Sequence, residues 1–146
     1  MASVKQRLWT SERGAELIEF ALVFPLLLLI TCGILDFGLM FQRFEVLTNA
    51  AREGARLAAL PGYTQAQVEA RVQAYVTAGG VPGTAATVLT IEPLTVGGRT
   101  FNVARVNVSY SHQYLFIGPL MALFGDALSS VNLTAVSAMR IESQGG

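Results

Sequence analysis

Residues 20–35 read FALVFPLLLLITCGIL, sixteen positions without a charge. Wound as an α-helix at ~1.5 Å per residue they span roughly 24 Å, a little short of a bilayer core of ~30 Å. Only Asp36 interrupts the apolar run before Phe41. A helix that is apolar on every side needs lipid or other protein all around it. Any fold open to this chain must therefore accommodate this stretch first. Composition supports that reading. Hydrophobic residues make up 52% of the chain and charged ones 14%, against about 45–50% and about 25% in ordinary soluble domains. Most of the hydrophobic excess lies in the first 41 residues, and the rest of the 146 is long enough for one ordinary globular domain.

Several function classes find no support. The formal net charge is zero, with ten basic and ten acidic residues, so no electrostatic footprint for nucleic acid is present. No Walker loop, dinucleotide glycine fingerprint, G-x-S-x-G elbow or metal-ligand spacing occurs, and no cofactor is expected. The one histidine, His112, has no cysteine or carboxylate near it in sequence and reads as surface or structural. Asn132-Leu133-Thr134 matches a glycosylation acceptor, a tripeptide common by chance. The single Cys32 excludes an intrachain disulfide. No enzyme constellation emerges.

The segment before the apolar run, residues 1–14, carries Lys5, Arg7 and Arg13 against Glu12. It reads as a basic leader that stays cytoplasmic. Arg43, Arg52 and Arg56 beyond the run match those three cations, so orientation rests on the leader's position and not on charge bias. A conventional cleaved signal ends its apolar region at a small-x-small site. Here Thr31-Cys32-Gly33 leads back into apolar sequence, which also argues against a lipoprotein cut before Cys32. A retained helix is the better reading. Its difficulty is Glu16 and Glu19, because a carboxylate near lipid is costly unless paired or interfacial.

Gly14-Ala15-Glu16-Leu17-Ile18-Glu19-Phe20 is similar to the processing site of type IV prepilins. In that pattern a peptidase cuts after the glycine, and the fifth residue of the mature chain is glutamate. The new α-ammonium at Ala15 would lie one helical turn from Glu19, giving that carboxylate an opposite charge. An uncut anchor whose glutamates reach the interface remains the alternative; the spacing favours processing. The longer run RGAELIEFALVFPLLLLITCGILDFG, and more weakly AAREGARLAA and AVSAMRIE, resembles TadE-like proteins, the minor pilins or pseudopilins of tight-adherence (Tad) pilus systems. The resemblance implies that Gly14 precedes the cut, Ala15 becomes the N-terminus, and Glu19 with Phe20 serves assembly. It implies a structural protein of the bacterial cytoplasmic membrane. Implied partners are a prepilin peptidase, the Tad inner-membrane assembly platform, other pilins and copies of itself.

Pro25 should kink or loosen the apolar helix. Asp36 is expected to be solvated at the far interface, with a salt bridge to a neighbouring subunit, for instance to Arg43, as the alternative. The helix should continue to Leu60, where Pro61-Gly62 stops it. Within it Ala50, Gly54 and Ala58 recur every fourth position, as do Ala51, Ala55 and Ala59. Small residues at that spacing admit another backbone; packing on the chain's own sheet is favoured over a subunit interface. A second helix over residues 64–78 opens on the capping box of Thr64 and Gln67 and ends at Gly79-Gly80. Val68, Val72, Tyr75 and Val76 should form its core stripe. Strands are expected over 87–96, 100–114 and 130–142, the first two joined at Gly97-Gly98. Residues 115–125, LFIGPLMALFG, are too few to span a membrane. They should cover the sheet or lie on the membrane surface, with burial favoured.

The expected architecture is α+β and pilin-like. It divides into a leader (1–14), a transmembrane and assembly helix (15–41) and an extracytoplasmic domain (42–146), which holds a second helix and a short antiparallel sheet. The expected role is a minor pilin or pseudopilin of a Tad pilus, supporting adhesion and biofilm formation. The alternative is a permanently anchored extracytoplasmic binding or envelope protein.

Overall fold

The computed structural model describes residues 12–119 and 129–141. The chain is α+β: a 47-residue helix α1 (Glu12–Ala58) and a shorter α2 (Gln65–Ala78) precede three strands, β1 (Ala86–Val96), β2 (Arg99–Gln113) and β3 (Ser130–Arg140). The leader up to residue 11, the apolar stretch from residue 120 to 128 and the last five residues lie outside the described part.

Helix α1 runs unbroken through Pro25 and ends two residues before the expected Leu60. Its final turn tightens there, Leu60 N–H donating to the Leu57 carbonyl three residues back. Thr64 begins α2 as expected. Its hydroxyl accepts from Gln67 N–H while the Gln67 side chain accepts from Thr64 N–H, so two otherwise orphaned donors satisfy each other's residue. The helix closes with the bonds Gly80 N–H to Thr77 carbonyl and Val81 N–H to Val76 carbonyl. That pairing requires a left-handed residue just past the cap, and Gly80 supplies it at φ 74°.

The sheet has order β1-β2-β3 and is antiparallel throughout. Gly97 and Gly98 both have positive φ, as a two-residue hairpin turn matched to strand twist demands. Alternation then decides the faces. Ala104, Val106, Val108, Tyr110 and His112 point toward the helices, beside Val131, Leu133 and Ala135 of β3. Of these, Val106, Val108, Leu133 and Ala135, with Tyr110 and Val131 at the edge, meet Leu47, Ala50, Ala51 and Ala55 of α1 and Val68, Val72 and Val76 of α2 in one core. Tyr75 departs from expectation. It is 39% exposed, because it sits on the flank of α2 along the groove shared with Gln42, Val46 and Asn49, outside the valine stripe.

Small residues let the layers close. A Cβ on Gly54 would lie 2.6 Å from Val72 Cγ2 and 3.2 Å from Val106 Cγ1. The Cβ of a larger residue at Gly79 would collide with the side chain of Val46. Both glycines stand where α1 meets its neighbours, one in the middle of the core and one at the end of α2.

Candidate functional site

The helix α1 has two unlike halves. Every side chain from 17 to 35 is exposed except the half-buried Cys32 and Gly33. Leu17, Phe20, Leu22, Phe24 and Ile34 are among the large apolar residues left open. Phe20 and Phe24, one turn apart, stack with ring centroids 5.2 Å apart. Thr31, the one hydroxyl residue of the apolar run, donates to the Leu27 carbonyl at 2.8 Å and so hides its own polarity. By length and composition this helix can cross a membrane.

Gly14, Ala15, Glu19 and Phe20 all lie on the first turns of α1. Gly14 is partly buried, and Ala15, Glu19 and Phe20 are exposed. Glu16 and Glu19, one turn apart at i and i+3, share a helix side. Ala50, Gly54 and Ala58 lie at the opposite end. Ala50 and Gly54 are buried in the domain, and Ala58 is half-buried at its margin. The chain thus separates its exposed helix residues from its packing residues by some 30 positions along one rod.

Between the halves is a junction that sequence reasoning missed. Asp36, Met40, Arg43 and Leu47 recur at spacings of four, three and four, which puts them on one face. That face carries the domain. Asp36 is its first residue and is completely buried; the expected interfacial solvation is corrected. Its carboxylate accepts from the backbone N–H groups of Leu115 (2.8 Å), Phe116 (3.1 and 3.0 Å) and Ile117 (2.7 Å). Three successive amides turned toward one anion satisfy a charge that burial would otherwise penalise heavily. The alternative partner, Arg43, points elsewhere: its guanidinium donates to His112 Nδ1 at 2.9 Å.

Around this junction Tyr114 lies edge-on to both Phe37 and His112, with centroids 6.4 and 5.4 Å away, and its hydroxyl reaches the Met40 sulfur. His112 is 1% exposed, a structural histidine as expected but a buried one. Burial pushes its pKa below the ordinary value, and the Arg43 charge pushes the same way against a smaller pull from Asp36. Leu115 and Phe116 are exposed, contrary to the favoured burial of this apolar stretch; the remainder of the stretch, from residue 120, lies outside the described residues. The signal that could have exposed the junction is the stripe itself, since a carboxylate at the head of a core-facing row requires internal donors.

No group of three or more potential metal ligands comes together among the described residues. No curated protein and no solved structure matches the chain. Residues 14–56, from the glycine at the foot of the helix to its packed end, match the family model described as TadE-like protein, so the similarity covers the long helix and not the sheet mounted on it.

Proposed function

We propose that this chain is a minor pilin or pseudopilin of a Tad-type pilus, made as a leader-bearing precursor and assembled through α1. TadE-like proteins are structural components associated with such pili, and the matched segment is the helix that stands out from the domain. The observation that carries the reading is the exposure of residues 17–31 on every side of a helix whose far half is firmly packed. Such a surface is stable in lipid, and equally stable against neighbouring helices of the same kind.

The mechanism follows from that double compatibility. Lipid stores the subunit by its helix, with the domain outside the cytoplasmic membrane, until an assembly platform extracts it. Helix packing in a filament then takes over from lipid contact. Removal of residues 1–14 would free the Ala15 ammonium, and a neighbour's ammonium facing Glu19 would set axial register by charge pairing in a low-dielectric bundle. Adhesion and biofilm formation are the expected outputs.

The test is the N-terminal residue of protein recovered from cells that carry its native secretion system. A chain beginning at Ala15, with the cut abolished by Gly14→Val, supports processing and assembly. An intact leader in peptidase-competent cells sinks the proposal and leaves a fixed envelope anchor.

A further inference from the structure

We infer that residues 115–117 are a second lipid-contacting element, held against the membrane surface by Asp36. The inference rests on α1 being a membrane span and needs no filament. From Ala15 to Asp36 is 21 residues, or roughly 32 Å of helix, close to the thickness of a bilayer core. Asp36 therefore stands where the helix leaves the hydrocarbon. The loop that it holds stands at the same level.

Three features of the loop fit lipid there. Leu115 is 63% exposed and Phe116 46%, and Phe37 and Phe41 are exposed on the helix at that height. Apolar and aromatic side chains grouped at a boundary of this kind match the interfacial belt of membrane proteins. The surface is also continuous with the exposed apolar rod below it, through Ile34 and Leu35. No charged residue lies between 106 and 119, so nothing on the loop favours bulk water over the interface.

The clamp itself is the strongest argument. In water, a carboxylate and three loop amides are each satisfied by solvent, and a bond joining them to the charge adds a net gain of about 1.5–3 kcal/mol. Near hydrocarbon both are costly alone: the charge needs donors and the irregular backbone needs acceptors. Asp36 and the amides of Leu115, Phe116 and Ile117 cancel each other's need. The domain would then rest on the membrane by this loop, with the helix and loop as its two points of attachment.

Tryptophan depth quenching tests this on the full chain. Trp9 is the only tryptophan, so Trp9→Phe gives a silent background for Leu115→Trp, or for Phe116→Trp if the first variant folds poorly. The protein is placed in phosphatidylcholine vesicles brominated either near the headgroup or near the chain ends. Stronger quenching by the shallow bromines, with protection from aqueous iodide, is the expected result. Adding Asp36→Asn should shift the reporter toward iodide. Iodide quenching without bromine quenching puts the loop in water and overturns the inference. Silence to both puts protein over the loop and overturns it too. Leu27→Trp reports the span separately: if deep bromines fail to quench it, the membrane reading falls first and takes this one with it.

Discussion

Arg43 on α1 and His112 at the end of β2, 69 residues apart in sequence, are joined by a 2.9 Å hydrogen bond. A guanidinium can only donate, so His112 Nδ1 accepts and its proton resides on Nε2. That atom is buried and has no partner among the described residues. The folded chain holds this imidazole neutral for two reasons, burial first and the Arg43 charge second.

This arrangement gives stability a pH dependence of definite sign. The folded-state pKa of His112 is depressed below 6.5, so the unfolded chain takes up the proton first as pH falls. The contribution is complete above about 6.5 and declines as the pH drops below it toward the folded-state value. Thermal unfolding of the full chain in detergent, followed from neutral to mildly acidic pH, should show the midpoint falling in that window. His112→Asn should remove that part of the slope. An unchanged slope would show that another group titrates there.

Asp36 makes the second prediction. Asp36→Ala leaves the amides of Leu115, Phe116 and Ile117 without their acceptor, which should cost roughly 1–3 kcal/mol because an unsatisfied buried donor carries a penalty of that order. Asp36→Asn keeps one acceptor oxygen and should cost less. Amide hydrogen exchange reads the effect directly, with protection at residues 115–117 falling in both variants and most in Asp36→Ala. Equal protection in all three proteins would mean that the loop is held by other contacts.

The contrast between these residues and the rest of the chain shows what the sequence could and could not reveal. The capping box at Thr64, the glycine pairs at 79–80 and 97–98, and the alternation of Ala104, Val106 and Val108 are local signals, and the elements formed where they indicated. The TadE-like resemblance likewise lies in a continuous run. Asp36 could not be placed in that way. Its partners lie 79 to 81 residues away and are backbone amides, which leave no trace in residue identity. Arg43 and His112 are similarly distant, and each alone looks like a surface residue. Tyr75 misled for another reason: it lies within helical spacing of the valines, yet an aromatic ring at the margin of a stripe can turn into a groove instead of the core.

Glu53 ties the two helices from their solvent side. It accepts from Arg56 one turn on, at 2.9 Å, and from Arg71 of α2 at 3.1 Å. Arg56, opposed by burial and helped by Arg71, pulls its carboxyl from 4.5 down to about 2. The folded form therefore stays ionised when the unfolded chain has been protonated, and this contribution is lost as pH falls from about 4.5 to about 2, well below the His112 window. Both arginines are more than half exposed, so screening by solvent limits Glu53→Gln to about 1 kcal/mol at neutral pH. Denaturant titration should show that loss near neutrality and its disappearance toward the acid end. A variant as stable as the parent at neutral pH would make this pair of bridges ornamental.

Gly54 tests whether close approach, and not merely small size, was selected at the core of α1. On an exposed helix Gly→Ala gains about 1 kcal/mol from propensity alone. Here the added methyl would stand 2.6 Å from Val72 Cγ2 and 3.2 Å from Val106 Cγ1. A valine in a helix has essentially one χ1 rotamer and cannot swing clear. Either α2 is pushed off α1 or the sheet shifts, and overpacking of this kind costs about 1–3 kcal/mol. The clash should outweigh propensity, so Gly54→Ala destabilises. Val72→Ala alone should also destabilise, by opening a cavity, but the double variant should recover much of both losses because one methyl takes the space vacated by the other. A double-mutant cycle by chemical denaturation reads this as a coupling of opposite sign to the single effects. Simple additivity would mean that the helices have room to separate, and that the glycine is tolerated at this crossing without being needed there.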